Sequence, residues 1–218
     1  MGKIALLVLA AVGVLLPGTV NAQWYVRGDT GWSMSTDAGG NINDDLGSSF
    51  IIGAGLGYRV NKWIRVDVTG AYRPGYEIDT NTSAAGTTGR FKGDVTSLAA
   101  MANIYFDVVT WGRFTPYVGG GIGGSRNKMD DIALNAGGVT GTLDGGDTKT
   151  SFAWNAAAGI GIEVMRNMQI DIGYRYVDLG EAKSGNGGTL GGAAFSTSAP
   201  VKGDLKAHEI QAGLRFGF

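Results

Sequence analysis

The strongest constraint in this sequence is an apolar–polar alternation of period two whose apolar face carries no charge. Phe50, Ile52, Ala54, Leu56, Tyr58 and Val60 share one face of a run; Ile51, Gly53, Gly55, Gly57 and Arg59 share the other. The same split recurs at Ile64, Val66, Val68, Gly70 and Tyr72, which oppose Arg65, Asp67, Thr69, Ala71 and Arg73. It returns over 98–106, 152–164, 168–176 and 209–218. A helical period of 3.6 would mix the two sets, so these segments read as strands. Two weaker segments complete the pattern. Trp24, Val26 and Trp32 face away from Arg27 and Asp29, and the glycine-rich run 115–125 offers only Val118 and Ile122 as an outward face. Each segment is close to the roughly 9–11 residues that a tilted membrane strand needs.

Alternation alone does not separate a soluble sandwich from a membrane barrel, because both have one apolar face. Four further features favour the barrel. Tyr58, Tyr72, Tyr174, Tyr176, Trp24 and Trp63 fall near strand ends, as interfacial girdles do. The strand number is even. The connections alternate in length: 34–47, 74–93, 126–149 and 179–205 are long, whereas 61–62, 108–114 and 165–167 are short. Long connections therefore fall on one rim and short turns on the other, which a sandwich does not require.

The fourth feature is an export address. Lys3 precedes an apolar run over residues 4–16, Pro17-Gly18 ends it, and Val20-Asn21-Ala22 supplies small residues for cleavage. Residues 1–22 thus read as a signal peptide and residues 23–218 as one barrel, too short a leader for a spanning helix. The expected fold is an all-β, eight-stranded antiparallel transmembrane β-barrel of up-and-down topology in the outer membrane.

Such a barrel has a narrow lumen that side chains fill. Small Gly and Ala residues on the inner face suit it, and Arg27, Arg65, Arg73, Arg175 and Arg215 point inward with Asp29, Asp67, Glu163, Asp171 and Glu209. The two signs balance, five against five, as a mutually paired network requires in a low-dielectric wall.

Several segments resemble a known family. Asn103-Ile104-Tyr105-Phe106-Asp107 and Pro116-Tyr117-Val118-Gly119-Gly120-Gly121-Ile122-Gly123 look like its central strands. Residues 172–180, Ile-Gly-Tyr-Arg-Tyr-Val-Asp-Leu-Gly, are similar to its penultimate strand, and residues 208–216 to its last. The family is the small opacity-type porins of alpha-proteobacterial outer membranes. It commonly closes on Tyr-Arg-Phe; here Leu214-Arg215-Phe216 is extended by Gly217-Phe218, which keeps the alternation. The resemblance implies an outer-membrane structural and surface protein, serving envelope integrity, surface interaction or adhesion, with no catalytic residues. It further implies outer-membrane lipid and lipopolysaccharide as surroundings, and recognition by the barrel-insertion machinery through the C-terminal strand. A host or surface ligand would meet the loops. A narrow porin-like channel is the alternative, and a filled lumen argues against it.

Cysteine is absent, which excludes thiolate metal sites and cysteine nucleophiles. The glycines of 53–57 and 119–124 lie in strands with no following helix or Lys-Ser/Thr pair, so they do not cradle phosphate. Asn41, Asn43, Asp44, Asp45, Asp144 and Asp147 are loop acids and amides; an EF-hand starting at Asn41 would need Gly and Glu where Leu46 and Ile52 stand. The single histidine, His208, is the candidate for a lipid A-modifying enzyme. Its neighbour Glu209 must face the opposite side of the strand, which leaves His208 at the outer rim without an evident orienting partner. Neither catalytic, cofactor nor metal residues are assigned. With a formal net charge of -1 and no polybasic run, nucleic acid is not an expected partner.

Overall fold

A computed structural model describes residues 24–36, 47–84, 87–136, 138–146, 148–196 and 202–218. The proposed signal peptide lies outside them, as do Asn41, Asn43, Asp44, Asp45 and Asp147. Among the described residues twelve strands are formed: β1 (Trp24–Thr36), β2 (Ser48–Arg59), β3 (Ile64–Ala84), β4 (Thr87–Asp107), β5 (Phe114–Met129), β6 (Ile132–Ala136), β7 (Val139–Leu143), β8 (Lys149–Met165), β9 (Met168–Lys183), β10 (Gly187–Leu190), β11 (Ala193–Ser196) and β12 (Lys202–Gly217).

Eight of these make the wall. β1 pairs with β2, β2 with β3, β3 with β4, β4 with β5, β5 with β8, β8 with β9, β9 with β12, and β12 with β1, all antiparallel. The ladder closes on itself, so the wall has no free edge and every wall strand finds partners on both sides within lipid. This is the expected eight-stranded up-and-down barrel.

The faces fall as the alternation predicts. Ile52, Leu56, Val68, Ile104, Ile122, Ile172, Ile210 and Leu214 are exposed on the outer surface, where hydrocarbon replaces water. Arg27, Arg65, Asp67, Arg73, Asp171, Arg175, Glu209 and Arg215 are buried inside. Trp24 packs edge-on against Tyr58 at 5.1 Å near one end of the belt. Glycine makes the inner face possible. A Cβ at Gly57 would lie 2.2 Å from the Tyr25 ring, and one at Gly159 or Gly173 would lie 2.6 Å from the Tyr117 hydroxyl.

Short turns join the strands at the end of Trp24, Phe106 and Phe216. In the β2–β3 turn, Asn61 Oδ1 accepts from the Trp63 and Ile64 amides at 2.8 and 2.9 Å, an Asx turn that sets the reversal.

The long connections depart from expectation. Segment 74–93 reads as a long connection in the sequence, yet β3 continues to Ala84 and β4 begins at Thr87, paired residue by residue from Tyr76↔Val95 to Ala84↔Thr87. A bulge at Pro74-Gly75 separates this extension from the barrel register. Within 126–149 and 179–205 stand β6, β7, β10 and β11. β4 pairs with β6, β6 with β7, β7 with β10 and β10 with β11. Three connections therefore merge into one sheet that rises from the barrel wall. The Ser, Thr and Gly content that reads as loop becomes strand because neighbouring hairpins satisfy each other's backbone groups.

Candidate functional site

The lumen and the sheet above it are where function can reside, and each is built from the wall upward. Near the short-turn end the lumen is charged. Arg27 Nη2 meets Asp29 at 2.7 Å and its Nη1 meets Asp67 at 3.0 Å. Arg65 pairs with Asp107 at 2.9 Å, Arg73 with Glu209 at 2.7 Å, and Arg215 with Asp171 at 2.8 Å. Arg175 stands 3.9 Å from Glu209, which thus serves two guanidinium groups. Tyr25 Oη donates to Asp67 at 3.1 Å, and Tyr105 and Tyr117 meet edge-on at 5.7 Å. The Arg65 guanidinium lies over both of these rings, 4.9 and 5.1 Å from their centroids. Asn103 bridges Asp67 and Thr69, and Asn155 donates to Asn103. A void lined by Arg27, Asp29, Tyr105, Asp171, Arg175 and Gln211 has about 10 Å³ of free volume, room for about one water.

The paired network expected from sequence is present, with one exchange of members. Glu163 is exposed at the mouth rather than buried, because it sits beside the bulge that ends β8 one step short of the turn. Asp107 takes its place as the carboxylate for Arg65. Asp107 was visible at the inward parity of Asn103 and Tyr105, one residue beyond the last outward position considered.

Toward the other end the lumen changes character. Tyr76, Val95, Met129, Val177, Leu179 and Leu205 are buried together, with Ala99, Ile132, Ala153 and Ala182 around them. Val95, Met129, Val177, Leu179 and Leu205 keep the inward parity of their strands, whereas Tyr76 returns to the lumen through the Pro74-Gly75 bulge that shifts its parity from that of Arg73. Reading the strands as ending near 73 and 98 hid this apolar tier. Tyr76 links the tiers, its hydroxyl 2.6 Å from Ser33 Oγ, which itself donates to Glu209. An apolar tier stacked on an ion-paired layer fills much of the lumen with side chains, which argues against an open aqueous channel.

The apolar tier is roofed by ties between the merged hairpins. Ser125 Oγ donates to the Leu179 carbonyl, and Asn127 Nδ2 donates to the same carbonyl at 2.8 Å. The Asp144 amide donates to Gly187 and the Gly185 amide to Asp144, joining the two hairpins that carry β7 and β10. Lys149 Nζ donates to Glu181, which Lys183 approaches at 3.2 Å. The Lys149 hydrogen bond, helped by Lys183, holds the Glu181 carboxyl below its ordinary pKa.

His208 lies on the outer surface of β12, as expected, but has partners that sequence did not reveal. Its Nδ1 is hydrogen-bonded to the Tyr174 hydroxyl, and its ring packs on Tyr174 and Tyr176 at 5.7 and 5.2 Å. Trp154 adds a further ring against Tyr176 at 5.5 Å. This is an aromatic cluster of the outer girdle. Glu209, its sequence neighbour, is on the opposite face with Arg73.

Comparison with known proteins agrees with this architecture. The chain is 29% identical to an uncharacterized protein of Brucella suis, over 93% of this chain and 87% of the relative. It is 24% identical to a Rickettsia prowazekii protein named "Putative adhesin", over the full length of both. Among solved structures it is similar to Neisserial surface protein A, with a TM-score of 0.56, 19% identity, and 89% and 97% of the two chains covered. Outer membrane protein OprG of Pseudomonas aeruginosa gives a TM-score of 0.53 at 14% identity, covering 89% of this chain and 96% of OprG. Residues 4–218 match the outer membrane protein beta-barrel domain. That span is nearly the whole sequence, and the chain belongs to this family, as a barrel of the bacterial outer membrane.

Proposed function

We propose that this protein is a surface-interaction protein, adhesin-like in role, that presents a rigid extracellular sheet on a sealed membrane anchor. The observation that carries this reading is the merging of β3, β4, β6, β7, β10 and β11 into one continuous sheet above the lumen. A sheet whose hairpins are tied to each other holds its exposed side chains in fixed relation, which lowers the ordering cost of binding a partner. The name borne by the Rickettsia prowazekii relative supports the same direction. In this reading a host or surface ligand meets the sheet, and the barrel contributes to envelope integrity.

Export through a cleavable leader over residues 1–22 belongs to the proposal, as does capture by the barrel-insertion machinery. The last strand offers that machinery Ile210, Ala212, Leu214, Phe216 and Phe218 on one lipid-facing side. The protein acts without catalysis in this reading: His208 is engaged by two tyrosines, and the carboxylates nearest the centre are held by arginines. The channel reading is weaker because ion-paired and apolar side chains fill the lumen.

The test replaces β10 and β11 (residues 187–196) with a short Gly-Ser turn and compares surface display with attachment of the bacteria to host cells. Normal display with reduced attachment is the expected result. Attachment unchanged at equal display overturns the role of the sheet, and a steady conductance of the purified wild-type protein in planar bilayers moves the channel reading ahead.

A further inference from the structure

We infer that the short-turn rim is a cationic collar that recognises the phosphate of anionic phospholipids in the inner, periplasmic leaflet. The inference rests on the barrel's place in the membrane and not on the adhesin reading.

The charges of this chain are sorted by height. The five lumen arginines meet five carboxylates. In sequence, the long-connection segments 34–47, 74–94, 126–149 and 178–206 hold thirteen acids and eight bases. On the short-turn rim the sign reverses. Arg59, Lys62, Arg113 and Arg166 stand there with Glu163 as the one acidic side chain. All three short turns contribute, and Lys62, Arg113 and Arg166 are exposed. None of the four forms an ion pair among the described residues, whereas Lys128, Lys149, Lys183 and Lys206 on the opposite side all do.

The neighbours of these cations identify the kind of partner. Each turn sets a cation beside apolar side chains that are open to the surroundings: Lys62 between Val60 and Trp63, Arg113 between Trp111 and Phe114, Arg166 beside Val164 and Met165. Lys62 Nζ lies 5.1 Å from the centroid of the Trp63 ring. A water-soluble anionic polymer would need the cations alone. A cation flanked by tryptophan and aliphatic groups suits a partner that is anionic at its head and apolar behind it, and the lipid belt begins directly above. Fixed cations within a Debye length of a headgroup layer draw anionic lipid to themselves and lose that hold as salt rises.

The experiment uses the mature protein, residues 23–218, refolded into phosphatidylcholine vesicles carrying trace spin-labelled phosphatidylglycerol or phosphatidylcholine. Electron paramagnetic resonance then reads the relative association of the two lipids with the barrel. Preference for phosphatidylglycerol of about threefold at low salt is expected, falling toward one in 0.5 M NaCl. The quadruple variant Arg59→Gln, Lys62→Gln, Arg113→Gln, Arg166→Gln should lose it, and Arg113→Gln with Arg166→Gln should lose about half if the quadruple variant fails to fold. Neutralising Lys128, Lys149, Lys183 and Lys206 instead should leave it unchanged. Equal association of both lipids with the wild type overturns the inference, and so does a preference that follows the four outer lysines. Inorganic phosphate abolishing the preference where chloride of equal ionic strength does not would assign the collar to free phosphate. Binding to isolated peptidoglycan that depends on the four cations, without lipid preference, would assign it to the wall polymer. Either result refutes a lipid-specific collar.

Discussion

Removing the Glu209 carboxylate should be among the most damaging single changes in this barrel. Its side chain is fully buried and accepts hydrogen bonds from Arg73 Nε at 2.8 Å, Gln211 Nε2 at 2.8 Å and Ser33 Oγ at 3.2 Å. Arg73 Nη2 adds an ion-pair contact at 2.7 Å, and Arg175 is a second cation at 3.9 Å. In Glu209→Ala both guanidinium groups remain in a closed lumen with no carboxylate, since Asp29, Asp67, Asp107 and Asp171 are committed to other arginines. Loss of one partner from a buried pair costs about 3–5 kcal/mol. Glu209→Gln keeps the shape and one acceptor oxygen but loses the charge and sets an NH2 against a donor, so about 2–3 kcal/mol is expected, in the range of hydrogen bonds to charged groups. Adding Arg73→Met to Glu209→Gln should recover part of that loss, because one uncompensated cation goes with it. Urea unfolding in lipid vesicles, followed by tryptophan emission and by heat-modifiable gel mobility, measures all three variants. A loss below about 1 kcal/mol in Glu209→Ala would mean that water reaches Arg73 and Arg175. The lumen would then be wet, and the sealed-barrel argument would fail.

Other consequences can be checked independently. Ile172 is exposed to lipid near mid-strand, and Ile172→Arg should cost about 2–4 kcal/mol in the same unfolding assay; a change within 0.5 kcal/mol would place that face away from the bilayer core. Carbon-13 NMR of the Glu181 carboxyl should show a titration midpoint below the ordinary carboxylate value, because the Lys149 hydrogen bond favours the charged form. Its contribution to stability is therefore present above the unfolded-state pKa and fades as the pH falls through the folded value. Lys149→Met should raise the midpoint, and an unchanged midpoint would remove Lys149 as the cause. Mass spectrometry of lipid A from cells expressing wild type or His208→Ala should show identical acylation; an acyl chain gained or lost with His208 would make this an enzyme.

Much of the barrel was legible in the residues because a strand exposes its two faces with period two, and in lipid a misplaced charge is penalised, most steeply at the bilayer midplane. Ile52, Leu56, Ile172 and Leu214 could face only hydrocarbon, so Arg27, Asp67, Asp171 and Arg215 could face only the lumen. Even number, alternating connection lengths and the girdle aromatics then selected closure. What tertiary structure decided lies where that rule stops. Beyond the membrane, whether Thr142 or Thr189 stands in strand or loop depends on which hairpin lies beside it, a pairing that no local pattern encodes. The same limit applied to the apolar tier: Val95, Met129, Leu179 and Leu205 come from four different strands and become a seal only where closure brings them together. Pairing inside the lumen is likewise a matter of height around a closed wall. Arg65 meets Asp107 across the β3–β4 ladder, while Arg73 meets Glu209 across the lumen from β12, because strand tilt and register, not distance along the chain, set which carboxylate each guanidinium can reach.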